Sequence, residues 1–210
     1  MSGNLLDDYC LQLISNLLSS TPTLTSFSLA RSNLTKNLFQ NNRAEFSSIL
    51  KKSKLRNLDL SHNNFSSYGL EIILSALPSC LHDLNISGCN TISILSQEQI
   101  GGGMMTYCSQ GNPDIDLVSL SMSNLTMNDN VLGRMVSCLQ YCGRLSEIRL
   151  DHNMITVSGL EDTLFLSQEL EQCKIMVETC DTGCSIISAS CLSIKNFVVL
   201  WSWRAEVLTT

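Results

Sequence analysis

One nine-residue spacing recurs along this chain and limits what it can fold into. Leu55, Leu58, Leu60 and Asn63 stand in slots one, four, six and nine of that spacing. The same slots hold Leu81, Leu84, Ile86 and Cys89, and later Leu145, Ile148, Leu150 and Asn153. Slots four and six are two residues apart, so on a short strand both side chains point the same way. Slots one and nine fall where the chain turns into and out of that strand. An Asn side chain there satisfies backbone groups of the turn, and a buried Cys thiol can stand in for it. A unit this small cannot bury its own apolar face, so it must stack on copies of itself. A repeat solenoid is the expected result.

With the register set, weaker copies emerge. Leu24, Phe27 and Leu29 fit, with Ser32 in slot nine and Leu34 in slot eleven; Leu117, Leu120 and Met122 fit, with Leu125 in slot nine. Leu170, Cys173 and Ile175 make a degenerate candidate in slots one, four and six. The spacing between the starts at 24, 55, 81, 117 and 145 leaves room for a helix in each return. Apolar residues at helical spacing run from Ser67 to Leu77 and stop before Pro78, which cannot continue a helix. Asn128 to Leu139 reads the same way, with Asn128 or Asp129 as N-cap, and Val157 to Phe165 opens a shorter helix. The predicted fold class is α/β: a curved solenoid of about five to six repeats, parallel strands on the concave face and helices on the convex face. Residues 1–169 would form it, 170–184 a degenerate repeat, and 185–210 an atypical tail that caps the stack or is poorly ordered.

Composition narrows the function. The net charge of −6 argues against an electrostatic nucleic-acid binder, which would carry a basic stripe, and favours a basic or neutral protein partner. The densest cationic run, Lys51, Lys52, Lys54 and Arg56, reads as the solvated end of a convex helix. Ten cysteines include no C-x-x-C pair, so a zinc framework has no support and no metal site is expected. Cys138 and Cys142 could share a helix face, but no second pair stands at ligand spacing. The N-terminus lacks the charged region and apolar run of a secretory signal, so reduced thiols acting as small core hydrophobes are expected, in an intracellular protein. On the same ground the glycosylation sequons at Asn33, Asn64, Asn85 and Asn124 are read as products of turn chemistry rather than modified sites.

The search for catalytic groups excludes more than it finds. His62 and His152 both occupy slot eight, but three strands at ~4.8 Å each put them ~14 Å apart, too far to share a metal ion. Asp59, Ser61 and His62 contain triad residue types, yet adjacency in a strand sends their side chains to different faces. Gly101, Gly102 and Gly103 lack the following Lys-Ser/Thr of a phosphate loop, and flexibility in the longest insertion is the plain explanation. No enzyme activity and no cofactor are expected.

What remains is the concave surface, where slots three, five and seven point away from the core. They read Ser26, Ser28 and Ala30, then Asn57, Asp59 and Ser61, then Asp83, Asn85 and Ser87. The next two copies add Ser119, Ser121 and Ser123, then Glu147, Arg149 and Asp151. The partner-binding candidates are Asn57, Asp59, Ser61, Asp83, Asn85, Ser121, Glu147, Arg149 and Asp151, a polar and mildly acidic strip with no aromatic side chain. The alternative is a merely solvated face, since aromatic and Arg anchors are what mark a tight interface.

The ends break the pattern. Leu5, Leu6, Tyr9, Cys10, Leu13, Ile14, Leu17 and Leu18 form an apolar helix before the first strand, like the convex helix of a repeat whose strand is missing. A solenoid needs polar capping units, so the chain reads as a fragment or a truncated product. Ser185 to Trp203 is long enough to cross a bilayer, but Lys195 and Asn196 sit at its centre and serines dilute it. A capping strand or a tail foreign to the native product is expected there, and a membrane span is not.

Long repeats with Asn or Cys in slot nine and intervening helices resemble leucine-rich repeats of the ribonuclease-inhibitor type. Within that class, Leu55 to Leu164 looks most like the C-terminal leucine-rich repeats of tonsoku-like proteins. The likeness rests on the Leu55 phrase, the short step from Leu77 and Pro78 to Leu81, and the long insertion before Leu117. Cys138, Leu139, Cys142 and Leu145, with Ser158, Leu160 and Glu161, complete it. That resemblance implies a nuclear scaffold that protects or restarts damaged replication forks through homologous recombination, with the leucine-rich part docking proteins. Histone reading belongs to the family's ankyrin part and carries onto no residue here. Two other readings stay open. One is a ribonuclease-inhibitor or immune-receptor type of sensor or inhibitor, for which the arc lacks aromatic residues. The other is a GTPase-activating repeat protein needing a positioned arginine, with Arg31 and Arg149 as candidates.

Overall fold

In the computed structural model of this protein, residues 3, 6, 10–39, 43–89, 98–108, 115–139, 141–156 and 173–176 are described. They form an α/β structure around one sheet of six parallel strands in sequence order. The strands are β1 (Ser26–Ser28), β2 (Asn57–Asp59), β3 (Asp83–Asn85), β4 (Ser119–Ser121), β5 (Glu147–Arg149) and β6 (Lys174–Met176). Helix α1 (Leu11–Ser20) precedes β1, and α2 (Arg43–Lys52), α3 (Ser66–Ser75), α4 (Glu98–Cys108) and α5 (Asp129–Leu139) follow the first four strands in turn. This order is compatible with a stacked solenoid. The helix read from Val157, and the tail from Ser185 to Trp203, lie outside the described residues.

The pairing register is the one that the nine-slot spacing predicts for the first five copies. Phe27, Leu58, Leu84, Leu120 and Ile148, all in slot four, stand opposite one another across the sheet. They form a buried row, beside a second made by Leu29, Leu60, Ile86, Met122 and Leu150 in slot six. Three-residue strands would carry little stability alone, but the backbone ladder extends beyond them. The slot-six N–H of each copy donates to the slot-five carbonyl of the next, as from Leu29 to Asp59 at 2.8 Å and from Leu60 to Asn85 at 2.8 Å. The slot-eight N–H donates to the next slot-seven carbonyl, as from Arg31 to Ser61 at 2.9 Å and from Gly88 to Ser123 at 2.8 Å.

Slot nine ties each joint from the side. The Asn63 amide nitrogen donates to the carbonyls of Leu29 and Leu60, both at 2.8 Å, and its oxygen accepts from the backbone of Ser32 and Leu34. Asn153 repeats the pattern one-for-one, donating to Met122 and Leu150 and accepting from Leu125 and Met127. One buried side chain thus satisfies four backbone groups, three of them in the preceding copy. Cys89 keeps one of those bonds, its thiol donating to the Leu60 carbonyl at 3.3 Å.

Slot eight has a backbone signature of its own. Arg31, His62, Asn124 and His152 all have positive φ, between 54° and 57°, and Gly88 completes the set at 66°. The chain must reverse out of the strand there, and this left-handed conformation favours Gly, Asn and His among residue types. The two histidines therefore share a slot because of turn geometry.

Three expectations need correction. The first is the register of the sixth copy: β6 pairs Ile148 with Ile175, so Ile175 takes slot four instead of Cys173. Cys173 and Ile175 are both buried and two apart, and a slip of two residues keeps the same side chains on the core face, so the pattern alone could not choose. The second concerns Leu13, counted among the residues of an apolar helix but 69% exposed; Leu11, Ile14 and Leu18 form the buried apolar side of α1, with Cys10 buried just before it. The third concerns Gly101, Gly102 and Gly103, which lie inside α4 rather than in a flexible loop. A Cβ on Gly103 would come within 2.9 Å of the Leu74 Cβ and 3.0 Å of the Glu71 Cα and carbonyl oxygen. That glycine is what lets α4 approach the backbone of α3.

Elsewhere the helix readings hold. Asn128 caps α5 by accepting from the Val131 N–H at 3.1 Å. Lys51 and Lys52 are exposed in the last turn of α2, where cations complement the helix dipole.

Two stability experiments follow from this geometry. Asn63→Ala leaves two buried N–H and two buried C=O groups without their side-chain partner, and should cost about 3–5 kcal/mol in chemical denaturation. In α4, Gly103→Ala forces a Cβ onto the α3 backbone and should cost about 1–3 kcal/mol. Gly102→Ala meets nothing within 4 Å and should gain up to about 1 kcal/mol from helix propensity, so equal responses would refute the close-approach role of Gly103.

Candidate functional site

The exposed side of the sheet is built by the alternation that buries slot four. Ser26 and Asn57 in slot three and Arg149 in slot five are exposed, while Ser28, Asp59, Asp83, Asn85, Ser119, Ser121 and Glu147 are half-buried. The structure therefore brings Asn57, Asp59, Asp83, Asn85, Ser121, Glu147 and Arg149 onto one face, in adjacent parallel strands. Slot seven behaves differently. Asp151 is half-buried, but Ser61 is only 5% exposed, which corrects its assignment to the accessible strip. Slot seven lies past the three-residue strand, where the chain is already turning, and the Ser61 carbonyl is held by the Arg31 N–H.

Slot five has a second duty that spacing did not reveal. The Asp59 carboxylate accepts the Ser61 N–H at 3.0 Å, and the Asn85 side-chain oxygen accepts the Ser87 N–H at 3.1 Å. The Ser28 hydroxyl receives the Ala30 N–H at 3.4 Å in the same way. These are side-chain turns spanning two residues, a habit of Asp, Asn and Ser. Neighbouring copies are also linked across the strip. Asn57 donates to Asp83, Ser28 donates to Asp59 at 3.5 Å, and Ser123 donates to Asp151 at 3.4 Å.

The charge is uneven. Counting Asp59, Asp83, Glu147 and Asp151 against Arg149 gives the strip a net −3 at neutral pH. Arg149 turns to Glu147, with Nε 2.6 Å from the carboxylate. Asp83 and Glu147 are two strands apart, ~10 Å, and the hydroxyls of Ser119 and Ser121 lie between them. At the start of the strands Arg144 pairs with Asp116, and His82 lies 3.9 Å from the same carboxylate. That small charged group was missed because it lies outside slots three, five and seven. Aligning the copies would have shown it, since Asp116 and Arg144 each immediately precede a slot-one leucine.

The two arginines considered for GTPase activation do not converge. Arg31 is exposed in the left-handed turn after β1, and Arg149 is on β5, four strands away at ~19 Å. Among the described residues no group of three or more His, Cys, Asp or Glu gathers in a way that could hold a metal ion. Among them, too, no helix is long and apolar enough to cross a membrane.

The sequence that builds this face has a similar counterpart among known proteins. The chain is similar to the tonsoku-like protein of Danio rerio. The two are 31% identical over 168 residues, which is 78% of this chain and 11% of that protein. The chain thus spans about a tenth of the relative it matches. No family model matches it.

The buried thiols beneath this face set an alkaline limit. Burial, the largest influence on each, pushes Cys89 up to about 12, Cys173 up to about 12 and Cys138 up to about 11, from an ordinary value of 9.0. The native state therefore holds these protons at a pH where the unfolded chain has released them, so stability falls as pH rises through that interval. The urea midpoint should be level between pH ~6 and ~8 and drop steadily above ~9. A midpoint unchanged at pH ~11 would contradict the burial of these thiols.

Proposed function

We propose that this chain is a leucine-rich repeat solenoid of the tonsoku-like kind, a non-catalytic docking module whose concave face receives a basic protein segment. The observation that carries the reading is the likeness to the tonsoku-like protein along 168 residues. The uninterrupted strand register supports it, because that register lines up one polar, acidic strip without a catalytic constellation. The biological setting is a nuclear scaffold in replication-fork repair by homologous recombination. Lysine or arginine side chains would span from Asp59 and Asp83 to Glu147 and Asp151, crossing the serine bay between them. Such a contact gains more in association rate and specificity than in raw affinity, and weakens with salt.

The test keeps the fold and removes the charge. Asp59→Asn, Asp83→Asn, Glu147→Gln and Asp151→Asn together preserve the hydrogen-bonding shapes, including the cap on the Ser61 N–H. Affinity recovery from nuclear extract should yield a salt-sensitive basic partner with the wild type, and at least tenfold less with the quadruple variant. Equal recovery would remove the concave strip as the docking site.

A further inference from the structure

Spacing suggests that Cys138 and Cys142 share a helix face, but α5 ends at Leu139 and the fold instead brings Cys142 beside Cys108. Cys108 is the last residue of α4, and Cys142 lies on the return from α5, three residues before the slot-one Leu145. Their sulfurs stand 3.8 Å apart although 34 positions separate them along the chain. Cys108 is 9% exposed and Cys142 fully buried. The segment carrying Cys142 lies at the surface, since Tyr141 before it is 66% exposed and Gly143 and Arg144 after it are exposed. A disulfide bond is about 2.05 Å long, so closure requires the sulfurs to approach by roughly 1.8 Å, within reach of side-chain rotation.

We propose that Cys108 and Cys142 form a dithiol modification site, which a peroxide converts to an internal disulfide that staples one repeat to the next. The other nearby thiols are held elsewhere. Cys138 donates to the Arg134 carbonyl of its own helix at 3.1 Å, and Cys80 donates to the Leu55 carbonyl at 3.5 Å. Within the pair, the hydrogen bond shared by the two sulfurs holds Cys142 below the ordinary thiol range, and the same bond followed by burial raises Cys108. That direction favours Cys142 as the attacking sulfur, and the 3.8 Å separation places Cys108 to resolve it.

Its thiolate attacks one peroxide oxygen: a sulfur–oxygen bond forms, the oxygen–oxygen bond breaks, and hydroxide leaves to become water. Cys108 then gives up its proton and attacks the sulfenic sulfur of Cys142. A sulfur–sulfur bond forms, the sulfur–oxygen bond breaks, and a second water departs. Two thiols and one hydrogen peroxide become one disulfide and two waters.

The experiment treats the purified full chain with hydrogen peroxide, blocks remaining thiols with iodoacetamide, and digests it without reductant. A peptide pair joined through Cys108 and Cys142 is expected, with two fewer alkylatable thiols and a melting temperature raised by roughly 5–10 °C, reversible by dithiothreitol. Cys108→Ser and Cys142→Ser should each abolish the link and the shift, whereas Cys138→Ser should keep both. A link through Cys138 or Cys80 would overturn the proposal. So would unreacted thiols at a dose that oxidises an exposed control thiol, or a link that leaves the melting temperature unmoved. The wild-type peptide map decides the pairing even if a variant fails to fold.

Discussion

The joint between consecutive copies is the interaction on which everything else rests. Each strand is three residues long, too short to define a sheet by itself. The ladder through slots six and eight, and the buried amides of Asn63 and Asn153, hold one copy to the next. An unsatisfied buried backbone group costs on the order of 1–3 kcal/mol, so a side chain serving four of them is costly to remove. The leucine rows supply the larger apolar gain, but that gain is non-directional. Direction and register come from the polar joint.

This division of labour explains what could be read from residue order. Slots one, four and six were legible because period-two alternation leaves an unambiguous trace in Leu55, Leu58 and Leu60. Asn63 was legible because only a small amide meets that turn so completely. The sixth copy was mis-registered for the same physical reason, since Cys173 and Ile175 satisfy the alternation in either of two frames. Gly103 was misread because a glycine run in a long gap looks the same whether it loosens a loop or admits a neighbouring helix. Only the position of Glu71 and Leu74 decides between those two.

The candidate face was half legible. Pleat alternation located its residues, but it could not say which of them also serve the backbone. Asp59 and Asn85 each close a turn with one oxygen, so part of their polarity is consumed before any partner arrives. Asp83 and Glu147, in slot three, close no such turn and are engaged instead by neighbouring side chains, Asn57 and Arg149. The early end of the turn at Ser61 could not be inferred, because nothing in the spacing says that the strand stops after three residues.

The close approach at Gly103 has a consequence for shape. Strands in this sheet repeat at ~4.8 Å, whereas packed helices keep axes 8–10 Å apart, and that mismatch opens a wedge at every step and bends the stack. Where α4 meets the α3 backbone through a missing Cβ, the wedge narrows. Gly103 is therefore where this mismatch is met by a direct backbone approach, and any side chain added there would push α4 away from Glu71 and Leu74.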